Sequence, residues 1–188
     1  SKIANSAEVR RGARRGPFLD LVISLAQDPN FIALAPVPNK QEKEREREEL
    51  VTRFFAYGDG LEDYRDRVSQ FLFAYTKKMN SYFEQNPSDI EFYKQNFLHT
   101  MAFITRTFPW GFRRAAKGTA TPRARFEAIA IGSYLALRER PELAEKTIAV
   151  DKWLNSEEFT EVTGADGANA LGRLKRRINF VRERLLGD

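Results

Sequence analysis

The sequence predicts an all-α fold, a single multi-helix orthogonal bundle of about seven to eight helices, on three observations. Apolar residues recur at spacings of three and four, as in Tyr64, Val68, Phe71, Leu72, Tyr75 and Met79. No segment alternates apolar and polar residues with period two, and no repeat of fixed length occurs. Short turns such as Gly58-Asp59-Gly60 and Asn86-Pro87-Ser88-Asp89 punctuate the periodic stretches.

Taken in order, Ser1 to Arg15 is predicted to end in a short helix from about Ala7, with Asn5 and Ser6 offering cap oxygens. Pro17 suits the first turn of a helix, and Phe18, Leu21, Val22 and Leu25 then give it an apolar stripe as far as Asp28-Pro29. Alternate prolines make the stretch from Ala33 to Asn39 a loop. A helix from about Lys40 to Tyr57 begins polar and ends on Leu50, Val51, Phe54 and Phe55. The next runs from about Glu62 to Gln85, and a more uniformly apolar one from about Ile90 to Phe108. Pro109 to Pro122 reads as a surface loop carrying Trp110 and Phe112. A helix from about Pro122 to Glu139, capped by Thr121, is followed by a short helical segment near Asp151 to Asn155. The last helix, from about Ala168 to Leu186, alternates Leu171, Leu174, Ile178, Val181 and Leu185 with arginines.

Composition narrows the function. With 188 residues and 15 Phe, one domain with a sizeable core is expected. No apolar run approaches the roughly 20 residues of a membrane span, which predicts a soluble, cytoplasmic protein with no membrane partner. Cysteine is absent, which removes thiolate chemistry. His99 is the single histidine, so zinc and facial-triad iron sites have too few ligands; its apolar neighbours Phe97, Leu98 and Met101 mark it as a residue in or beside the core. Asp59, Glu62, Asp63 and Asp66 read as acids favourable to the start of a helix, with a carboxylate-only magnesium site as the sharper alternative. The glycines match neither a P-loop nor a dinucleotide fingerprint. No catalytic residue, metal ligand or cofactor is therefore assigned.

Basic clusters remain. The net charge is +5, which favours polyanionic partners and DNA first. The candidate contacts are Arg11, Arg14 and Arg15; Arg113, Arg114, Lys117, Arg123 and Arg125; and Lys175, Arg176 and Arg177 of the last helix. Against this stands the reading that each cluster is a solubilising or internally paired surface.

Several of these positions carry a resemblance. Glu8-Val9-Arg10, Gly16-Pro17-Phe18-Leu19-Asp20-Leu21, Leu25-Ala26, the run from Glu49 to Tyr57, Tyr64 and Phe71-Leu72, with Thr100-Met101-Ala102-Phe103, Phe112-Arg113 and Arg125-Phe126-Glu127 later, resemble the helical C-terminal half of one family. This is the N-terminal-domain family of GmrSD-type restriction enzymes. The resemblance implies a ParB-like α/β region upstream, with an Asp-Gly-Gln-Gln-Arg motif linked to nucleotide hydrolysis, and in some members a C-terminal His-Asn-His nuclease. Neither occurs in this sequence, so the resemblance implies a fragment or reduced relative without catalysis of its own. It also places Glu8 and Arg10 at an interdomain junction and leaves Arg11, Arg14 and Arg15 for an outside partner. Two readings follow: a helical scaffold of a restriction or phage-defence protein that binds DNA or another subunit, or a purely structural module docking against a ParB-like domain or a second copy as a homodimer.

Overall fold

In a computed structural model, residues 15–38 and 42–187 are described. They fold as a packed helical bundle, and among them there is no strand. The elements are α1 (Pro17–Ala26), α2 (Pro29–Leu34), α3 (Lys43–Gly58), α4 (Val68–Gln85) and α5 (Asp89–Thr107). After a long loop come α6 (Arg123–Phe126), a π-helical turn (Glu127–Ile131) and α7 (Gly132–Glu139), which run on without a break. A 3₁₀ turn (Pro141–Glu145), α8 (Asp151–Leu154), α9 (Glu157–Val162) and α10 (Leu171–Leu186) complete the chain. No helix among the described residues is long and apolar enough to cross a membrane.

One contiguous core draws on every α-helix among the described residues. Phe18 of α1 sits at its centre, fully buried, with Tyr75, Phe55 and Phe83 ring centroids at 5.4, 5.8 and 6.0 Å. Edge-on pairs of this kind add about 0.5–1.5 kcal/mol each beyond the area they bury. Asn80 of α4 fastens the start of α1, its Oδ1 accepting from the Phe18 and Leu19 N–H groups at 2.9 and 3.1 Å. Those are first-turn donors with no partner inside their own helix, so a side chain from across the core supplies the missing cap. Elsewhere in the fold α7 and α10 cross closely at Gly132, where a Cβ would lie 2.8 Å from the Val181 Cβ and 2.9 Å from the Ile178 carbonyl oxygen.

Three expectations are corrected. Asp28-Pro29 is not a stop but the start of α2: the Asp28 carboxylate accepts from the Phe31 N–H at 3.0 Å, and the helix continues through Ala33 and Leu34. α4 begins at Val68 instead of Glu62, because Asp66 takes a left-handed conformation, φ 61°, that no helix continues through. α9, unforeseen, is capped by Ser156, whose Oγ accepts from the Phe159 N–H. The predicted helix from Ala7 lies outside the described residues.

Candidate nucleic-acid interface

The basic residues separate into three environments once folded. The first is interior. Glu127, in the π-helical turn, divides its carboxylate between two buried guanidiniums: Arg53 Nη1 of α3 at 3.0 Å and Arg177 Nη1 of α10 at 2.9 Å. Arg53 also reaches Glu49 at 3.4 Å. Arg177, wholly inaccessible to solvent, donates further to the Val162 and Ala168 carbonyls. Desolvation lowers both guanidiniums and Glu127 offsets it; with Glu49 nearby, Arg53 ends above its ordinary value, while Arg177 ends below. Burial pushes the Glu127 carboxyl up against the pull of the two arginines. The buried Tyr57 hydroxyl, without a hydrogen-bond partner among the described residues, is pushed up by desolvation as well. Tyr64 donates to the Asn169 carbonyl at 2.6 Å and the Leu171 N–H donates to Asp66 at 2.7 Å, so the segment before α10 is tied down by the same neighbourhood. Arg177 is accordingly an interior strut and is removed from the nucleic-acid contacts.

The second environment is the outer face of α10, exposed but neutralised. Arg173 and Arg176 share Glu161 at 3.1 and 3.0 Å, Arg184 pairs with Glu158 at 3.2 Å, and Arg182 with Glu139. Lys175 alone of the candidates on this helix is exposed with no ion pair among the described residues. Arg123 likewise meets Glu46 through two nitrogens, at 2.8 and 2.7 Å.

The third is the loop from Pro109 to Pro122. Gly111 adopts φ 57°, a conformation glycine accepts without strain, and it presses against Leu34. The Phe112 N–H donates to the Leu34 carbonyl at 3.3 Å, and the fully buried Phe112 ring meets Phe126 edge-on at 4.8 Å. These contacts hold the loop against the start of α6 and carry Arg113 and Arg114 to the neighbourhood of Arg125. Arg113 folds back on its own loop, donating to the Trp110 and Ala116 carbonyls at 3.0 Å. Arg114 and Lys117 are exposed and have no carboxylate partner among the described residues. Arg125, expected on the surface, is instead only 6% exposed, so it is withdrawn as an open surface contact; its guanidinium lies 5.2 Å from the centre of the Phe159 ring. Arg15 is exposed; Glu8, Arg10, Arg11 and Arg14 lie outside the described residues.

Two further features differ from expectation. His99 is exposed, not in or beside the core, and lines a groove of ≈ 510 Å³ with Phe92, Phe103, Arg106 and Arg138. The acids at 59–66 do not gather at the start of their own helix: Asp59 follows α3 and accepts from the Tyr75 hydroxyl, while Asp66 caps α10. Among the described residues no three His, Cys, Asp or Glu side chains converge to hold a metal ion.

Sequence reasoning passed over Arg53, Glu127 and Asn80. A signal was present: Arg53 sits inside Val51-Thr52-Arg53-Phe54-Phe55 and Glu127 inside Phe126-Glu127-Ala128-Ile129, each a lone charge in a run bound for the interior. No family model, curated protein or solved structure matches the chain.

Proposed function

We propose that this chain is a non-catalytic helical scaffold of a restriction or phage-defence protein, and that it meets a polyanion, DNA first, across the Trp110–Lys117 loop. One observation carries the polyanion half: the loop's Arg114 and Lys117 are exposed without carboxylate partners, whereas most of the arginines on α10 are already neutralised. An unneutralised patch releases counterions on meeting phosphate; a patch already paired with glutamates must break those pairs first. The spaced motifs quoted above support the restriction-type setting, with a ParB-like region or a second copy as the protein partner. The test is binding of a labelled duplex across a salt series. Affinity should fall with a log–log slope of about −2 to −3, as for two or three phosphate contacts, and Arg114→Ala with Lys117→Ala should remove most of that slope. Absence of binding at low salt, or binding without a slope, overturns the polyanion half.

The ion pairs of α10 favour a second reading, in which the domain is an interaction module alone. Light scattering over a concentration series decides whether the partner is a second copy; a monomer throughout, together with the salt-dependent DNA binding above, removes this reading.

A further inference from the structure

The groove that His99 lines lies between α5 on one side and α7 with its following 3₁₀ turn on the other, and it holds ≈ 510 Å³. Small-ligand sites are concavities of about 300–1,000 Å³, mostly apolar, with a few polar groups to fix orientation. This one has that make-up. Phe92, Phe103, Tyr134 and Leu137 give it apolar walls, and Phe92, 65% exposed, stands at its rim.

Its charge is one-sided. α5 contributes Arg106 and α7 contributes Arg138, and each guanidinium is laid along its own wall over a ring: Arg106 is 5.6 Å from the centre of Phe103, Arg138 5.5 Å from that of Tyr134. Such contacts leave the edge of the guanidinium, with its N–H donors, open to an acceptor. Arg106 also donates to the Ala144 carbonyl, which fixes it between α5 and the 3₁₀ turn. Among the described residues no carboxylate lines the groove. Asp59 shares only a smaller recess with Asn96 and Tyr134, and it accepts from the Tyr75 hydroxyl.

We infer that the groove between α5 and α7 binds a small amphipathic anion, a compound with an aromatic body and a single carboxylate, phosphate or sulfonate head. The body packs on the rings of Phe92 and Phe103, and the head accepts from Arg106 and Arg138, whose forked donors match an oxyanion. Neither half suffices alone: a bare inorganic ion leaves the apolar walls wet, and a neutral arene leaves both cations without a counter-charge. The site is separate from the Trp110–Lys117 loop and does not depend on it.

The probe is anilinonaphthalene sulfonate, an aromatic anion, compared by fluorescence with its uncharged counterpart N-phenylnaphthylamine on the full chain. The sulfonate should saturate at one molecule per chain and bind about tenfold tighter than the neutral compound, as for one or two charge-assisted hydrogen bonds. Arg106→Gln with Arg138→Gln, both at exposed positions, should bring the two affinities together, and Phe92→Ser should weaken both probes. Equal affinities in the parent protein, saturation well beyond one per chain, or a preference for the sulfonate that survives the double substitution overturns the site. Displacement of the sulfonate by poly-L-glutamate or by duplex DNA marks a macromolecular docking surface and also overturns it. Sulfonate that stays bound in the presence of either polymer supports it, whether or not the loop binds DNA.

Discussion

Arg125 and Glu127 stand two residues apart on one helix, and the fold treats their charges in opposite ways. Glu127 is enclosed by two guanidiniums, of which Arg53 also reaches Glu49 and Arg177 donates to the Val162 and Ala168 carbonyls. Arg125 lies over the Phe159 ring, with two of its nitrogens unpartnered among the described residues, and feels a like charge from Arg114. Burial is therefore not what distinguishes a structural charge from an unfinished one, since both are nearly inaccessible. An opposite charge at hydrogen-bond distance is, because an ion taken out of water regains its solvation only from partners.

The comparison breaks most visibly at Glu127. Glu127→Gln leaves Arg177 without a carboxylate and Arg53 with Glu49 alone, and should cost about 3–5 kcal/mol, or about 10 °C in Tm; a loss below about 1 kcal/mol by urea denaturation would show the circuit to be idle. Arg125→Met should do the reverse, stabilising the chain by about 1 kcal/mol at neutral pH. A pH series sharpens the point. Burial first, and Arg114 second, lower Arg125 to about 10 from the ordinary guanidinium value. Below that pH both folded and unfolded chains carry the proton, and the cost of burying the cation is fully present. Above it the folded chain releases the proton first, so the parent gains on the variant. Urea denaturation of both proteins at about pH 8 and about pH 11 should show the variant's advantage shrinking. The smallest effect belongs to the surface: Arg176→Ala removes an exposed pair with Glu161 and should change stability by no more than about 0.5 kcal/mol.

Local pattern was enough to read most of the helices. The stripes of α3, α4, α5 and α10 were visible because period and burial coincide, and Arg177, three residues beyond Leu174, lay on the inward stripe all along. Punctuation was harder: the same Asp28-Pro29 that reads as a stop is also a cap followed by a first-turn proline, and only the Asp28 to Phe31 hydrogen bond decides. The fate of the charges was not legible. Arg123 and Glu46 are 77 residues apart, Glu127 and Arg53 are 74, and nothing local distinguishes a cation that finds such a partner from Arg114, which finds none among the described residues. Composition supplies the inventory of charge; only the crossing of α3, α6 and α10 allocates it.

The π-helical turn at Glu127–Ile131 gives the chain a reading frame of its own. Each loop of such a turn encloses one residue more than an α-turn, so what lies upstream is rotated by about 100° from where an unbroken helix would point it. One surplus residue between Phe126 and Gly132 thus sets the bearing of Arg125 relative to the Gly132 crossing with α10. Chains that share this interior should keep that surplus, and its loss would mark a relative whose arginine at this place faces somewhere else.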